Sequence, residues 1–195
     1  MRKKEGNKER DIVEAAIKVF AEKGYHNSKV HKIAEVAGIA TGSVYIYFEN
    51  KEMILLRIFE DLWRKLYAAL EEIADRDDLT PVQKFEGLID VIFDYFTVNP
   101  EQAIVFVNEQ SLLMYTNRKE FTKYYDKFLD LGEKIVRMGV KEKYFNKNLD
   151  ITIVRYFVFG GIRHLVRNWA HSPKDFNLNH IRLNVKDMLK NGLLA

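Results

Sequence analysis

Apolar residues recur at helical spacing along almost the whole chain, and no segment sustains the period-two alternation of a half-buried strand. The pattern predicts a first helix over Lys8–Lys23, with Ile12, Ala16, Val19 and Phe20 on one stripe and Gly24 ending it. Ser28 is positioned to cap a second helix, Lys29–Ala37, in which Val30, Ile33, Ala34 and Ala37 repeat at helical intervals. Gly38 follows as a left-handed C-cap, the conformation that glycine alone adopts cheaply. Thr41 is placed as N-cap of a short third helix ending at Tyr47 or Phe48, anchored by Val44 and Phe48 four residues apart. Asn50 caps a seven-turn helix, Lys51–Arg76, with a broad apolar stripe. Thr80–Pro81 restarts the helical pattern after a polar break, and Asn99–Pro100 is a second break of that kind. Further helices are expected over Glu101–Tyr115 and Lys119–Tyr144, over Ile151–His171 behind an Asp150 cap, and over Asn179–Lys190. In the last of these, Ile181, Val185, Met188 and Leu189 are read as one face. The fold class is all-α, about nine helices.

Two short helices joined by a tight glycine turn form a helix-turn-helix pattern, whose second helix enters the DNA major groove while the first crosses the backbone. A helical corner that touches nothing is the alternative on spacing alone. The outward residues favour DNA. Thr41, Gly42 and Ser43 are small or hydroxyl-bearing and allow approach to base edges, with Tyr45 and Ile46 beside them. Tyr45, Tyr47, Lys29 and Lys51 offer contacts to phosphates on either side, and Ser28 and His31 are further candidates for the DNA face.

Taken as one block, AAIKVFAEKGYHNSKVHKIAEVAGIATGSVYIYFENKEMIL (15–55) resembles the DNA-binding domain of TetR-family transcriptional repressors, and the likeness runs from Ile12 to Leu55. It lies in the FAEKGY segment, the IAEVAGIATGSVY core and the YFENKE exit into a long helix. The resemblance implies an N-terminal three-helix helix-turn-helix domain (1–51) and a C-terminal helical ligand-binding and dimerisation domain (52–195). It implies a homodimer on double-stranded operator DNA, released when an effector binds. The GYHNSKVHKIAEVAGIATGSVYIYFENKE block and the Phe157–Gly160 segment are also similar to TetR-like repressors that sense long-chain acyl-CoA.

Charge adds to this picture. Residues 1–51 carry ten Lys+Arg against seven Asp+Glu, whereas residues 52–195 carry twenty-one of each. The whole +3 excess therefore sits on the proposed DNA-binding part. Cysteine is absent, which removes disulfides, thiolate nucleophiles and cysteine metal sites and suits a reducing cytoplasm. The basic start Met1–Asn7 leads into no apolar segment of the secretory type, and no apolar run is long enough to span a bilayer, so no membrane is expected. No catalytic motif is present. His164 and His171 lie seven apart, about 10.5 Å along a helix, too far to share a metal. Neither catalytic residues, metal nor cofactor are expected.

Tandem Gly160 and Gly161 cost about 1 kcal/mol each inside a helix, so close approach of another helix should compensate. That neighbour is either in the same chain or in a second copy. In the TetR family this region resembles the dimer interface, and Phe157, Gly160, Gly161, His164, Leu165, Trp169, Val185 and Met188 are then its candidates. The C-terminal part is rich in aromatic residues from different helices. Phe59, Trp63, Phe93, Phe96, Phe106, Met114, Phe128, Tyr156 and Phe159 are either core or the walls of an apolar chamber, with Glu109 and Gln110 as polar groups in it. Arg155, Arg163 and Arg167 are possible partners for an anionic headgroup. A small lipophilic effector is expected, a fatty acyl chain first. An aromatic cation received by Glu109 is the alternative. A helical carrier or enzyme without DNA binding is the reading from a different class.

Overall fold

A computed structural model of the protein describes residues 8–116 and 118–194, with the side chain of Arg118 left aside. The basic arm Met1–Asn7 lies outside the described residues. Among the described residues there are nine helices: α1 Lys8–Lys23, α2 Val30–Ala37, α3 Thr41–Tyr47, α4 Lys51–Ala74, α5 Pro81–Val98, α6 Pro100–Thr116, α7 Arg118–Lys141, α8 Ile151–His171 and α9 Leu178–Leu193. None of them is long and apolar enough to cross a membrane.

Most boundaries follow from local chemistry. The Asn50 side chain accepts from Met53 N, and Asp150 from Ile153 N. Thr80 and Gln83 form a reciprocal capping box with Pro81 in the first turn. Gly24 and Gly38 take positive φ, 74° and 69°, to end α1 and α2. Two expected caps are corrected. The N-cap of α3 is Ala40, and Thr41 is already helical, because the chain leaving Gly38 is extended through Ala40. The N-cap of α2 is Lys29, without a side-chain bond; Ser28 turns inward instead.

Helix α4 runs through both halves of the molecule. Its Ile54, Leu55 and Ile58 belong to the same buried cluster as Ile12, Val19 and Phe20 of α1 and Val44 and Phe48 of the third helix and its exit. Arg57 pairs with Glu9 of α1, 3.3 Å away. Further on, α4 packs against α5 and α7 and buries Phe59, Leu62, Trp63, Leu66 and Leu70. Lys84 Nζ donates to Ala74 O and closes the end of α4.

Helix α9 lies on α5. Arg182 pairs with Asp94 (2.5 Å) and Lys186 with Asp90 (2.8 Å). This seating buries Val185 inside the protomer and leaves Met188 73 % exposed, so the two do not share a face as the periodicity suggested. Asn146 N donates to Leu193 O and ties the α7–α8 connection to the chain end. There the Phe145 ring, 2 % exposed, packs directly over Gly139. A Cβ at Gly139 would run into that ring. Helix propensity alone would favour alanine there by about 1 kcal/mol. Gly139→Ala is therefore expected to lower unfolding stability by about 1–3 kcal/mol in urea melts, the overpacking cost outweighing propensity.

Candidate nucleic-acid interface and effector site

The turn between α2 and α3 leaves one surface of the N-terminal unit open. Thr41, Gly42, Tyr45, Ile46 and Tyr47 of α3 are exposed, Ile46 at 79 %, and Ser43 is half-buried. Val44 and Phe48 turn inward and fix the helix. Lys29, the N-cap of α2, and His31 within it are exposed, and Lys32 is paired with Glu35 at 2.6 Å. An isoleucine this open on a two-turn helix has no packing explanation within the chain.

Two residues expected on that surface are turned away from it. Ser28 is buried and its hydroxyl donates to Gly24 O (2.6 Å) and Val19 O (3.3 Å), which locks the α1–α2 turn. Lys51 reaches back beneath the head. Its ammonium donates to Tyr25 O (2.6 Å), Ser28 O (2.9 Å) and His26 O (3.4 Å), and sits 4.2 Å from the Tyr25 ring centroid. Burial pulls its pKa below the usual lysine value, opposed by the Glu109 carboxylate. Lys51 is thus a clamp on the 25–28 turn rather than a free phosphate contact.

Glu109 is the second correction with mechanistic weight. It was read as an acid available to a ligand, but its Oε1 accepts from Tyr25 N at 3.0 Å. A residue of α6 therefore holds the backbone of the same turn that Lys51 clamps. The polar run 108–111 points in several directions around α6, not into one chamber. Asn108 lies 3.2 Å from His171, Ser111 is exposed, and Gln110 is buried with its Oε1 lacking a partner among the described residues.

The aromatic residues converge, chiefly on each other. Trp63 is ringed by Tyr125, Phe106, Phe128 and Phe159 at centroid distances of 5.0–5.8 Å. Phe59 adjoins Phe106, and Phe96 lies 5.0 Å from Phe106. Phe93 is core, and Met114 packs half-buried against it. Tyr156 is corrected: it is 67 % exposed and lies on the outer face of α8, one step in phase from the inward Phe159. Sequence reasoning missed Tyr25 as a junction and the apolar set Leu88, Gly132 and Val154. The (i, i+4) series Phe128, Gly132, Val136 on α7 was the available signal for the latter.

Two small cavities remain among these side chains. One, about 30 Å³, is lined by Leu88, Phe128, Gly132, Val136, Val154 and Val158 among others. The second, about 10 Å³, is lined by Trp63, Ile92, Phe106, Ile162 and Arg163 among others. Phe159 borders both. Arg155 is held by Asp130 (2.6 Å) and Glu133 (3.2 Å), which fills its charge requirement. Arg163 is different. Its Nη2 donates to Val107 O (3.1 Å), its Nε has no partner among the described residues, and burial pulls its pKa down.

The outer face of α8 carries Ile153, Tyr156 and Phe157, the last 72 % exposed, in line with Gly160, Gly161 and His164. A Cβ at either glycine would meet nothing within 4 Å among the described residues. The intrachain explanation of the tandem glycines is thereby removed. Leu165 and Trp169 are half-buried at the edge of the same helix.

Comparison with known proteins agrees with this architecture. Residues 12–58 match the bacterial regulatory proteins of the tetR family, and residues 62–192 match the C-terminal region of YsiA-like proteins. The chain is 29% identical over 182 residues to the fatty acid metabolism regulator protein of Bacillus subtilis (strain 168), spanning 93% of each. Its fold superposes on the crystal structure of the transcriptional regulator FadR from Bacillus subtilis in complex with stearoyl-CoA, with TM-score 0.83, 30% identity, and 94% and 98% of the two chains covered. The fatty acid degradation regulator FadR from Bacillus halodurans gives TM-score 0.85 and 29% identity over 97% and 98%.

The head geometry separates two kinds of variant. Lys29→Ala is expected to weaken binding to all DNA sequences and to shallow the slope of log K against log salt by about one unit. Lys51→Met is expected to weaken binding by loosening the 25–28 turn, with the salt slope unchanged. A salt titration of DNA affinity for both proteins, by fluorescence anisotropy, checks the contrast.

Proposed function

This chain belongs to the TetR family of bacterial regulatory proteins, and from that membership we propose that it acts in the cytoplasm as a homodimeric operator-binding repressor released by a long-chain acyl-CoA. It is a DNA-binding regulator and not an enzyme. The observation that carries the reading of the mechanism is the bond from Tyr25 N to Glu109 across the two units (1–51 and 52–195).

DNA reading falls to α3. Thr41, Gly42 and Ser43 meet base edges, Tyr45 and Ile46 fill the groove, and Tyr47, Lys29 and His31 contact the sugar–phosphate backbone. Dimerisation falls to the outer face of α8, where Phe157, Gly160, Gly161 and His164 oppose their copies, with Tyr156 and Met188 beside them. The absence of a Cβ at two successive positions lets the backbones of two α8 helices approach closely, and a two-fold pair of heads matches a palindromic site.

The acyl reading is supported by the stearoyl-CoA bound in the Bacillus subtilis relative and by the chemistry of the aromatic site. The site offers apolar walls and, in Arg163, a guanidinium whose Nη2 donates to Val107 O and whose Nε has no partner among the described residues. Burying ten methylenes gives about 8 kcal/mol before ordering costs, enough to shift a repressor. The cation-sensing alternative loses its acid, because Glu109 is engaged with the head.

Release follows from connectivity. Arg163 bonds the carbonyl of Val107 on α6, and two residues later on α6 Glu109 bonds the turn that orients α2 and α3. A ligand that displaces Arg163 or separates α6 from α8 pulls on that turn. By linkage it must bind the released arrangement better by the same factor that it weakens DNA binding.

The test is operator release across a panel of acyl-CoAs, free fatty acids and aromatic cations. Release rising with methylene number supports the reading, and release by cations alone overturns it. Glu109→Leu is expected to retain acyl-CoA binding while the effector-induced loss of DNA affinity falls at least fivefold. Glu109→Gln keeps an acceptor for Tyr25 N and should stay close to the parent. Gly160→Leu is expected to sediment as a monomer and to lose operator affinity, with the helical content of the parent retained.

A further inference from the structure

Four buried side-chain atoms lack a hydrogen-bond partner among the described residues: Trp63 Nε1, Gln110 Oε1, Arg155 Nε and Arg163 Nε. Unpaired buried groups are few in native proteins, and each asks for an explanation. Arg155 has one in the carboxylates its other nitrogen holds. Trp63 and Arg163 stand out because they line the same cavity. Trp63 is 1 % exposed, and its indole can only donate. The Arg163 Nε–H can also only donate. Two donors without an acceptor among the described residues thus belong to side chains that line one aromatic-walled space. The cavity on the far side of Phe159 has apolar lining apart from Arg155 and Glu133, which are paired with each other.

On the acyl-CoA reading above, we infer that the effector lies in one orientation: its thioester carbonyl accepts from Trp63 and Arg163, and its chain passes Phe159 into the cavity between α5, α7 and α8. The orientation follows from donor placement. A carbonyl oxygen is the acceptor an acyl thioester offers at the boundary between its polar and apolar parts. The coenzyme then leaves along α8 on the side of the exposed Arg167. The reverse orientation would put methylenes against the unpaired donors of both Trp63 and Arg163 and the carbonyl near Val154 and Val158. The inferred orientation leaves the chain beside one unpaired atom, the Nε of Arg155, whose Nη1 is held by Asp130 and Glu133.

Phe159 is the gate of this channel. Its ring meets both Trp63 (5.7 Å) and Phe128 (5.9 Å), which also touch each other (5.7 Å), and it borders both cavities. The two spaces, about 10 and 30 Å³, become one passage only when that ring turns aside. Short chains end before the gate and long chains must open it. Gly132 marks the far wall, where a Cβ would come within 2.7 Å of Leu88 Cδ1. Phe159 and the space beyond it therefore determine chain-length selectivity, and Trp63 with Arg163 determine recognition of the thioester.

The experiment uses the full-length protein, calorimetric titration, and two ligand series of increasing chain length: acyl-CoA thioesters and S-alkyl-CoA thioethers, which lack the carbonyl. The wild type is expected to prefer the thioester by roughly five- to tenfold at every length, the worth of about one hydrogen bond. Trp63→Phe removes one of the two N–H donors and should lower that preference clearly, leaving the part that Arg163 supplies, while binding thioethers as before. Phe159→Trp should leave the shortest chains unaffected and weaken binding progressively as the chain lengthens; Phe159→Leu should do the opposite. Thermal melts identify any variant that fails to fold, and the thioether series in the wild type then carries the test alone. If the wild type binds thioester and thioether alike, or Trp63→Phe keeps the full thioester preference, the carbonyl assignment is overturned while acyl binding stands. Equal weakening of all chain lengths by Phe159→Trp overturns the gate. Failure of the wild type to bind any acyl-CoA overturns the acyl reading and this inference with it.

Discussion

Helix α4 has to be buried by different partners at its two ends, and the rest of the molecule is arranged to allow this. Near its start it completes the small core of α1, α2 and α3, a unit too small to bury much apolar surface alone. Further along it lies between α5 and α7 and carries Trp63 into the middle of the larger bundle. Apolar burial is continuous along it, so the head cannot tilt independently without exposing Ile54, Leu55 or Ile58. A rigid rod shared by two cores transmits rotation of one to the other. The Lys51 clamp and the Glu109 bond tie the 25–28 turn to the same frame through two separate helices.

The interior favours specificity over storage. The larger bundle is filled with rings in edge-on and tilted contact, and the residual spaces are close to the volume of a single water. Aromatic side chains have few torsions and shift by discrete rotamer changes, so the bundle has a small number of alternative packings. A switch needs that discreteness. The donors of Trp63 and Arg163 have no acceptor among the described residues in this packing, a cost that an acceptor-bearing ligand would relieve.

Much of the fold was legible because it rests on local chemistry. Asn50, Thr80–Pro81, Asp150 and Gly38 announce their caps through side-chain reach or backbone freedom, and periodicity supplied the helices between them. The exposed face of α3 was legible for the same reason, since Val44 and Phe48 leave the other positions outward. What escaped depends on partners distant in sequence. Ser28 and Thr41 are both plausible caps, and only the approach of α1 decides that the serine hydroxyl turns inward. Lys51 looks like a surface cation until the 25–28 turn is placed beneath it. Glu109 bonds a residue 84 positions away. Tyr156 and Phe159, or Val185 and Met188, differ by three positions on one helix, and their assignment changes with the angle at which a neighbour docks. Residue type does not carry that angle.

The near-absence of free volume beside Trp63 has a consequence in time as well as in affinity. A ligand larger than a water cannot diffuse into a space of that size; the walls must part first. If the effector binds at the proposed site, entry is limited by how often the rings separate, and raising its concentration accelerates the response only up to that frequency. The same barrier retains a ligand once the walls have closed on it. A protein built this way averages over brief fluctuations in its signal and answers sustained ones, so its memory is set by the stiffness of its own interior.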